Sequence, residues 1–104
     1  EITEALDRLV TASNRNIADC HRLAEAVAGR DRAIPFEIFN QRALDLLADA
    51  AAEAARSGNL ARAKKLSDAW QEALEAISLT EFYNLDKKQH ALTMIERLNS
   101  ALRM

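Results

Sequence analysis

The stretch ADAAAEAARSGNLARAKKL, Ala48–Leu66, decides the fold class. From Ala48 to Ala55 it is nearly all alanine, the best helix former, with Asp49 and Glu53 placed to face outward. Only methyl groups would separate that face from a neighbouring helix, so two backbones can approach closely. Ser57-Gly58 then closes the helix, and Asn59 can cap the next one, although Ala61-Arg62-Ala63 offers no capping box. The spacing therefore predicts a helix, a tight turn and a second helix.

The same reading extends in both directions. The whole chain of 104 residues has two glycines and one proline, and Val and Thr are scarce. Strands and hairpins have little to work with, so the fold class is all-α. Upstream, Ile2, Leu6, Leu9, Ser13, Ile17, Cys20, Ala24 and Val27 recur at spacings of three and four, as in a coiled-coil seam. They predict one helix over about 2–28, about 40 Å long at about 1.5 Å per residue, ended by Gly29 at the C′ position. Its middle is polar at Ser13, Asn14 and Asn16, either facing solvent or fixing the register of an interface.

A loop at Arg30–Ile34 leads to Pro35 in the first turn of a second helix, about 35–57, with the stripe Phe36, Phe39, Ala43, Leu46, Leu47, Ala50, Ala54. The third, about 59–83, carries Leu60, Ala63, Leu66, Trp70, Ala73, Leu74 and Ile77. Over 78–86 the phase is ambiguous: a new helix starts at Thr80, or at Asp86 through an Asp-x-x-Gln capping box, or the helix continues. The last, about 86–103, carries Gln89, Leu92, Ile95 or Glu96, Leu98 and Leu102. Short connections favour antiparallel neighbours, in one domain built as a four-helix antiparallel bundle or two stacked helical hairpins.

Composition limits how much this core can hold. Of the 49% hydrophobic residues, 21 are Ala, against 14 Leu, six Ile, two Val and five aromatics. At about 1.5–3 kcal/mol per large side chain buried, that supports one modest core and leaves room for help from a partner. The net charge of −2 argues against a dedicated electrostatic nucleic-acid binder. No apolar run reaches membrane-span length and no signal peptide opens the chain, which starts at Glu1 rather than Met, as a trimmed chain would. One cysteine forms no internal disulfide, and a cytoplasmic location is the expectation.

Groups for catalysis are few. Cys20 and His21 are adjacent and would point about 100° apart on a helix, so they do not chelate one metal together. Asp86 and His90 could share a face but lack further ligands, and His90 reads as a surface residue. Cys20 falls on a core face, as a small hydrophobe. No glycine-rich phosphate loop and no nucleophile elbow is present, and the pairs Asp49/Glu53 and Asp68/Glu72 read as solvated charge. The expectation is no enzyme, no metal and no cofactor.

Two features bear on binding. Arg56, Arg62, Lys64 and Lys65 form a run without an acidic residue between Glu53 and Asp68. An i,i+4 pair Lys64–Asp68 would offset part of it, and Arg30 and Arg32 would sit at the other end of a hairpin. The aromatics are unevenly spread: Phe36 and Phe39 open one helix, Phe82 and Tyr83 close another, and Trp70 stands alone. Antiparallel packing would bring 36–39 and 82–83 to the same end. Most of these belong in the core, but such residues also anchor interfaces, and Tyr83 is the best placed to be exposed.

The pattern A-x-x-A-x-x-x-G-N-L-x-x-A-x-x-L-x-x-A over Ala51–Ala69 resembles the turn between the two helices of a tetratricopeptide unit, with Gly58 at the turn and Ala63 on the second helix. No second copy follows at about 34 residues. The alanine-rich helices are also similar in texture to phasins and to small secretion chaperones, without a shared motif, so no family is assigned. The reading is a non-enzymatic protein–protein interaction module, such as an adaptor, chaperone, regulatory subunit or inhibitor, whose partner is another protein or a second copy. Phe36, Phe39, Trp70, Phe82 and Tyr83 are its anchors, with Arg62 and Lys65 as rim charges. Adsorption to a membrane or granule through amphipathic helices is the second reading. A nucleic-acid accessory role is the third.

Overall fold

The computed structural model describes residues 2–11, 16–29, 31 and 33–103. Every regular element among them is α-helical: α1 (Ile2–Thr11), α2 (Ile17–Ala28), α3 (Ala33–Arg56), α4 (Leu60–Phe82) and α5 (Lys87–Arg103). The fold class is all-α, as the alanine-rich stretch dictates. The single long first helix is not found. Asn16 is extended at φ −86°, ψ 113°, and its side chain accepts from the backbone N–H groups of Ala18 and Asp19. It is therefore an N-cap that starts a new helix, and no part of a continuous seam. Ser13 and Asn14 lie outside the described residues, as do Arg30 and Arg32.

The caps explain the other boundaries. Gly29 does follow α2, but in extended conformation (φ −70°, ψ 163°) instead of a left-handed one. α3 opens two residues before Pro35, which still falls in the first turn, where its missing N–H costs nothing. At the α3–α4 turn Gly58 adopts φ 80°. Its N–H bonds to the Ala55 carbonyl at 3.1 Å and the Asn59 N–H to Ala54 at 2.9 Å, the two bonds of a Schellman motif. Asn59 then caps α4 through the N–H of Arg62.

The ambiguous segment 78–86 is closed by the same device. Asn84 takes the left-handed position at φ 52°, and the Leu85 N–H reaches back to the Thr80 carbonyl at 3.0 Å. Asp86 then caps α5 through the N–H of Gln89. The reciprocal half of the capping box is missing, because the Gln89 side chain bonds to Thr93.

α5 packs against each of the other four helices. α3 does the same, and its pairing with α4 is the most extensive. α4 touches neither α1 nor α2. Arg62 near the start of α4 meets Leu102 at the end of α5, while Thr80 meets His90, so these two helices run antiparallel. Asn99 donates to the Leu9 carbonyl and Lys88 pairs with Glu25, so α1 and α2 together run antiparallel to α5. A two-pronged Arg42–Asp7 contact, 2.9 and 3.0 Å, ties α3 to α1. The molecule measures 43 × 30 × 17 Å with a radius of gyration of 13.5 Å, close to the value of about 13 Å for a compact domain of this length.

The core is one cluster, with Phe39, Leu6, Leu47, Leu66, Met94, Ile95, Leu98 and Val27 its largest wholly buried members. Several expected stripe positions fall elsewhere. Leu60 and Leu74 face solvent, as does Gln89, while His90, Ala91 and Met94 turn inward. α5 is thus rotated from its expected face by about one residue. Cys20 is buried, as expected.

Gly58 has open space where a Cβ would stand, so only its backbone angle resists substitution. Gly58→Ala should lower unfolding free energy by about 1 kcal/mol in urea titrations. Asn84→Gly should leave stability equal or raise it slightly, because glycine adopts that conformation without penalty.

Candidate functional site

The α4–α5 turn, the start of α3 and the start of α5 meet at one end of the molecule. Three buried polar side chains fasten them together. His90 Nε2 lies 2.9 Å from Asn40 Oδ1 on α3, and His90 Nδ1 lies 3.2 Å from Thr80 Oγ1 on α4. All three residues are buried. Asn40 Oδ1 can only accept, so the imidazole proton belongs on Nε2, and Nδ1 accepts from the Thr80 hydroxyl. That hydroxyl also lies 2.8 Å from the Ala76 carbonyl and is shared between the two. Asn40 Nδ2 has no partner. Phe36 stacks at a tilt on His90, centroids 5.4 Å apart, and Lys87 lies 5.1 Å above the Phe36 ring.

His90 is therefore no surface residue. The adjacent Ala91 and the i+4 residue Met94 face the core, and they carry His90 inward with them. Burial first, and the positive charge of Arg97 second, push its pKa below the ordinary value of 6.5. Asp86, one turn earlier, spends its side chain on the helix cap and does not form a hydrogen bond to the ring. Among the described residues no three His, Cys, Asp or Glu side chains come together as metal ligands.

The aromatics separate sharply. Regions 36–39 and 82–83 do reach the same end, but Phe36 and Phe39 are core residues, 3% and 0% exposed. Neither is presented to a partner. Trp70 is half-buried against the core. Phe82 and Tyr83 stand out at 81% and 63% exposure, packed edge to face with centroids 4.9 Å apart. Leu79 and Leu85 are also exposed beside them in sequence. The cause is the Schellman turn: the chain reverses at Asn84. Thr80 is the residue of the last turn of α4 that points inward, while Leu85 stays half exposed beside it at the edge of a shared cavity.

The basic residues go elsewhere. Lys64 pairs with Asp68 at 3.1 Å, the pair the spacing predicts. Arg62 is half-buried and donates to the Leu102 carbonyl at 3.2 Å, so it covers the end of α5 and does not stand as a rim charge. Lys65 is exposed and lines a groove between α4 and α5 with Leu66, Ala69, Glu72 and Arg97. Beside the aromatic end, a second open groove of about 500 Å3 runs between α3 and α4, floored by Ile38, Leu44, Leu74 and Ile77 and edged by Glu37 and Glu81. Sequence reasoning passes over this groove. It assigns Leu74 to the core stripe and omits Ile38, whose separation of two from Phe36 marks it as off the buried face.

A folded state that holds His90 below its unfolded pKa takes up the proton after the unfolded chain does. Its contribution to stability is full above about 6.5 and declines as pH falls below that value, levelling once the folded imidazole is protonated. Urea titrations between about pH 7.5 and about pH 5.5 should show a loss for the wild type that is smaller in His90→Gln.

Compared with known proteins, the chain matches no family model, no curated protein and no solved structure.

Proposed function

We propose that the chain is a non-enzymatic protein–protein interaction module that docks its partner at the aromatic end. In this reading its helices make a four-position antiparallel bundle, the first position filled by α1 and α2 in succession. The observation that carries it is the exposure of Phe82 and Tyr83. The chain has only five aromatics for an alanine-rich core, and it leaves two of them, Phe82 and Tyr83, paired with each other and exposed. Exposed apolar residues scattered singly are ordinary, but a paired Phe82 and Tyr83 with exposed Leu79 and Leu85 near them in sequence is a concentration of apolar side chains of the type that anchors interfaces.

Two further points support it. The rings sit on a capped turn held to α3 and α5 by the Asn40–His90–Thr80 contacts, so they are offered from a fixed platform and lose little freedom on docking. The charges flanking the rings are balanced, Glu81 and Asp86 against Lys87 and Lys88, so this end lacks the basic excess by which anionic membranes and nucleic acid are bound. No helix among the described residues is long and apolar enough to cross a membrane.

Phe82→Ala/Tyr83→Ala should keep wild-type helicity and melting temperature, because neither ring belongs to the core. It should also lose capture of the partner recovered by affinity purification and mass spectrometry. Phe36→Ala, by contrast, should cost about 3–5 kcal/mol of stability. Capture unchanged in the double variant at full helicity would overturn the docking reading.

A further inference from the structure

We infer that the groove between α3 and α4 takes a cationic amphipathic helix of the partner. The inference rests on the docking reading of this end of the molecule and names the chemistry that end selects.

The floor is apolar and open. Ile38 is 42% exposed and Leu74 40%, and both line the groove with the buried Leu44 and Ile77. Ile34, one helical turn before Ile38, is also exposed and extends the apolar row along α3. A partner helix that lays residues spaced i, i+3 and i+4 along this row would cover it, in the helix-in-groove mode.

The rim supplies the charge preference. Glu37 is the only charged residue between Ala33 and Gln41, and Glu81 stands opposite it across the same groove. Both are exposed, and neither makes an ion pair with a described residue. Between Lys65 and Lys87 the chain carries Asp68, Glu72, Glu75, Glu81 and Asp86 and no basic residue at all. Glu81 also lies in the last turn of α4, where the helix dipole disfavours negative charge, and no basic side chain offsets it there. A cation from a partner would relieve that cost, and lysine or arginine flanking an apolar stripe meets both edges of the groove.

The probe is a pair of fluorescein-labelled helical peptides of about 18 residues with the same leucine stripe, one flanked by lysine and one by glutamate. Polarisation with the full chain should show the lysine-flanked peptide binding at least about tenfold more tightly, with affinity falling as salt rises. Glu37→Lys/Glu81→Lys should reverse the preference, and Leu74→Asp should weaken binding of the lysine-flanked peptide without loss of helicity. Equal binding of both peptides would overturn the charge selection and leave the docking reading standing. Binding of neither would overturn the groove assignment. In that case the Phe82→Ala/Tyr83→Ala capture experiment decides the docking reading separately. A dimer of the chain that Leu74→Asp converts to monomer would assign the groove to a second copy and overturn the inference as well.

Discussion

The packing of α5 against all four other helices is the interaction on which the rest of the structure depends. Ala91, Met94, Ile95 and Leu98 are buried along one side of it, and they supply much of the large apolar volume that an alanine-rich chain otherwise lacks. Its polar residues serve the same end. His90 reaches α3 and α4, Asn99 reaches the Leu9 carbonyl of α1, and Lys88 reaches Glu25 of α2. Buried hydrogen bonds of this type add modest net stability, but leaving their groups unpaired is costly, so they discriminate against other registers of the same helices. Without them, smooth alanine faces would slide with little penalty.

Fixing α5 also fixes the exposed end. The α4–α5 turn has four residues, and its left-handed Asn84 and capping Asp86 leave little choice of path. Once Thr80 and His90 are joined inside, Phe82 and Tyr83 must project from the turn. The polarity of α4 fits the same picture. Arg62, Lys64 and Lys65 sit near its start and Glu81 at its end, each opposed to the helix dipole. Arg62 and Lys64 find local uses, on the Leu102 carbonyl and on Asp68. Glu81 finds none among the described residues, and this makes the acidic rim of the α3–α4 groove a distinct chemical feature.

How legible all this was depends on what each position responds to. The helical class, the Gly58 turn and the Asn59 cap follow from local chemistry, whereas the Asp86 cap is one of three local alternatives for 78–86 and the fold selects it. The break before α2 was hidden because the apolar spacing of three and four runs across it without a phase change. Only the capping ability of Asn16 distinguishes a new start from a polar seam residue. The left-handed position of Asn84 is poorly marked in the sequence, because asparagine is a weaker signal than glycine for that conformation. The inward turn of His90 is tertiary: no local rule places a histidine in a core, and its partners stand 10 and 50 residues away in sequence. For the site, proximity of the two aromatic pairs was predictable from hairpin geometry. Which pair faces outward was not, since it depends on how α5 rotates.

The central claim is that this core is complete in one chain and leaves the aromatic end free for a different protein. Light scattering coupled to small-angle X-ray scattering tests it most directly. The account predicts a particle of one chain, 11.6 kDa, with a radius of gyration close to 13.5 Å and Tyr83 accessible to solvent quenchers. A stable dimer in which Phe82 and Tyr83 are shielded would contradict it, because the aromatic end would then be the interface between two copies.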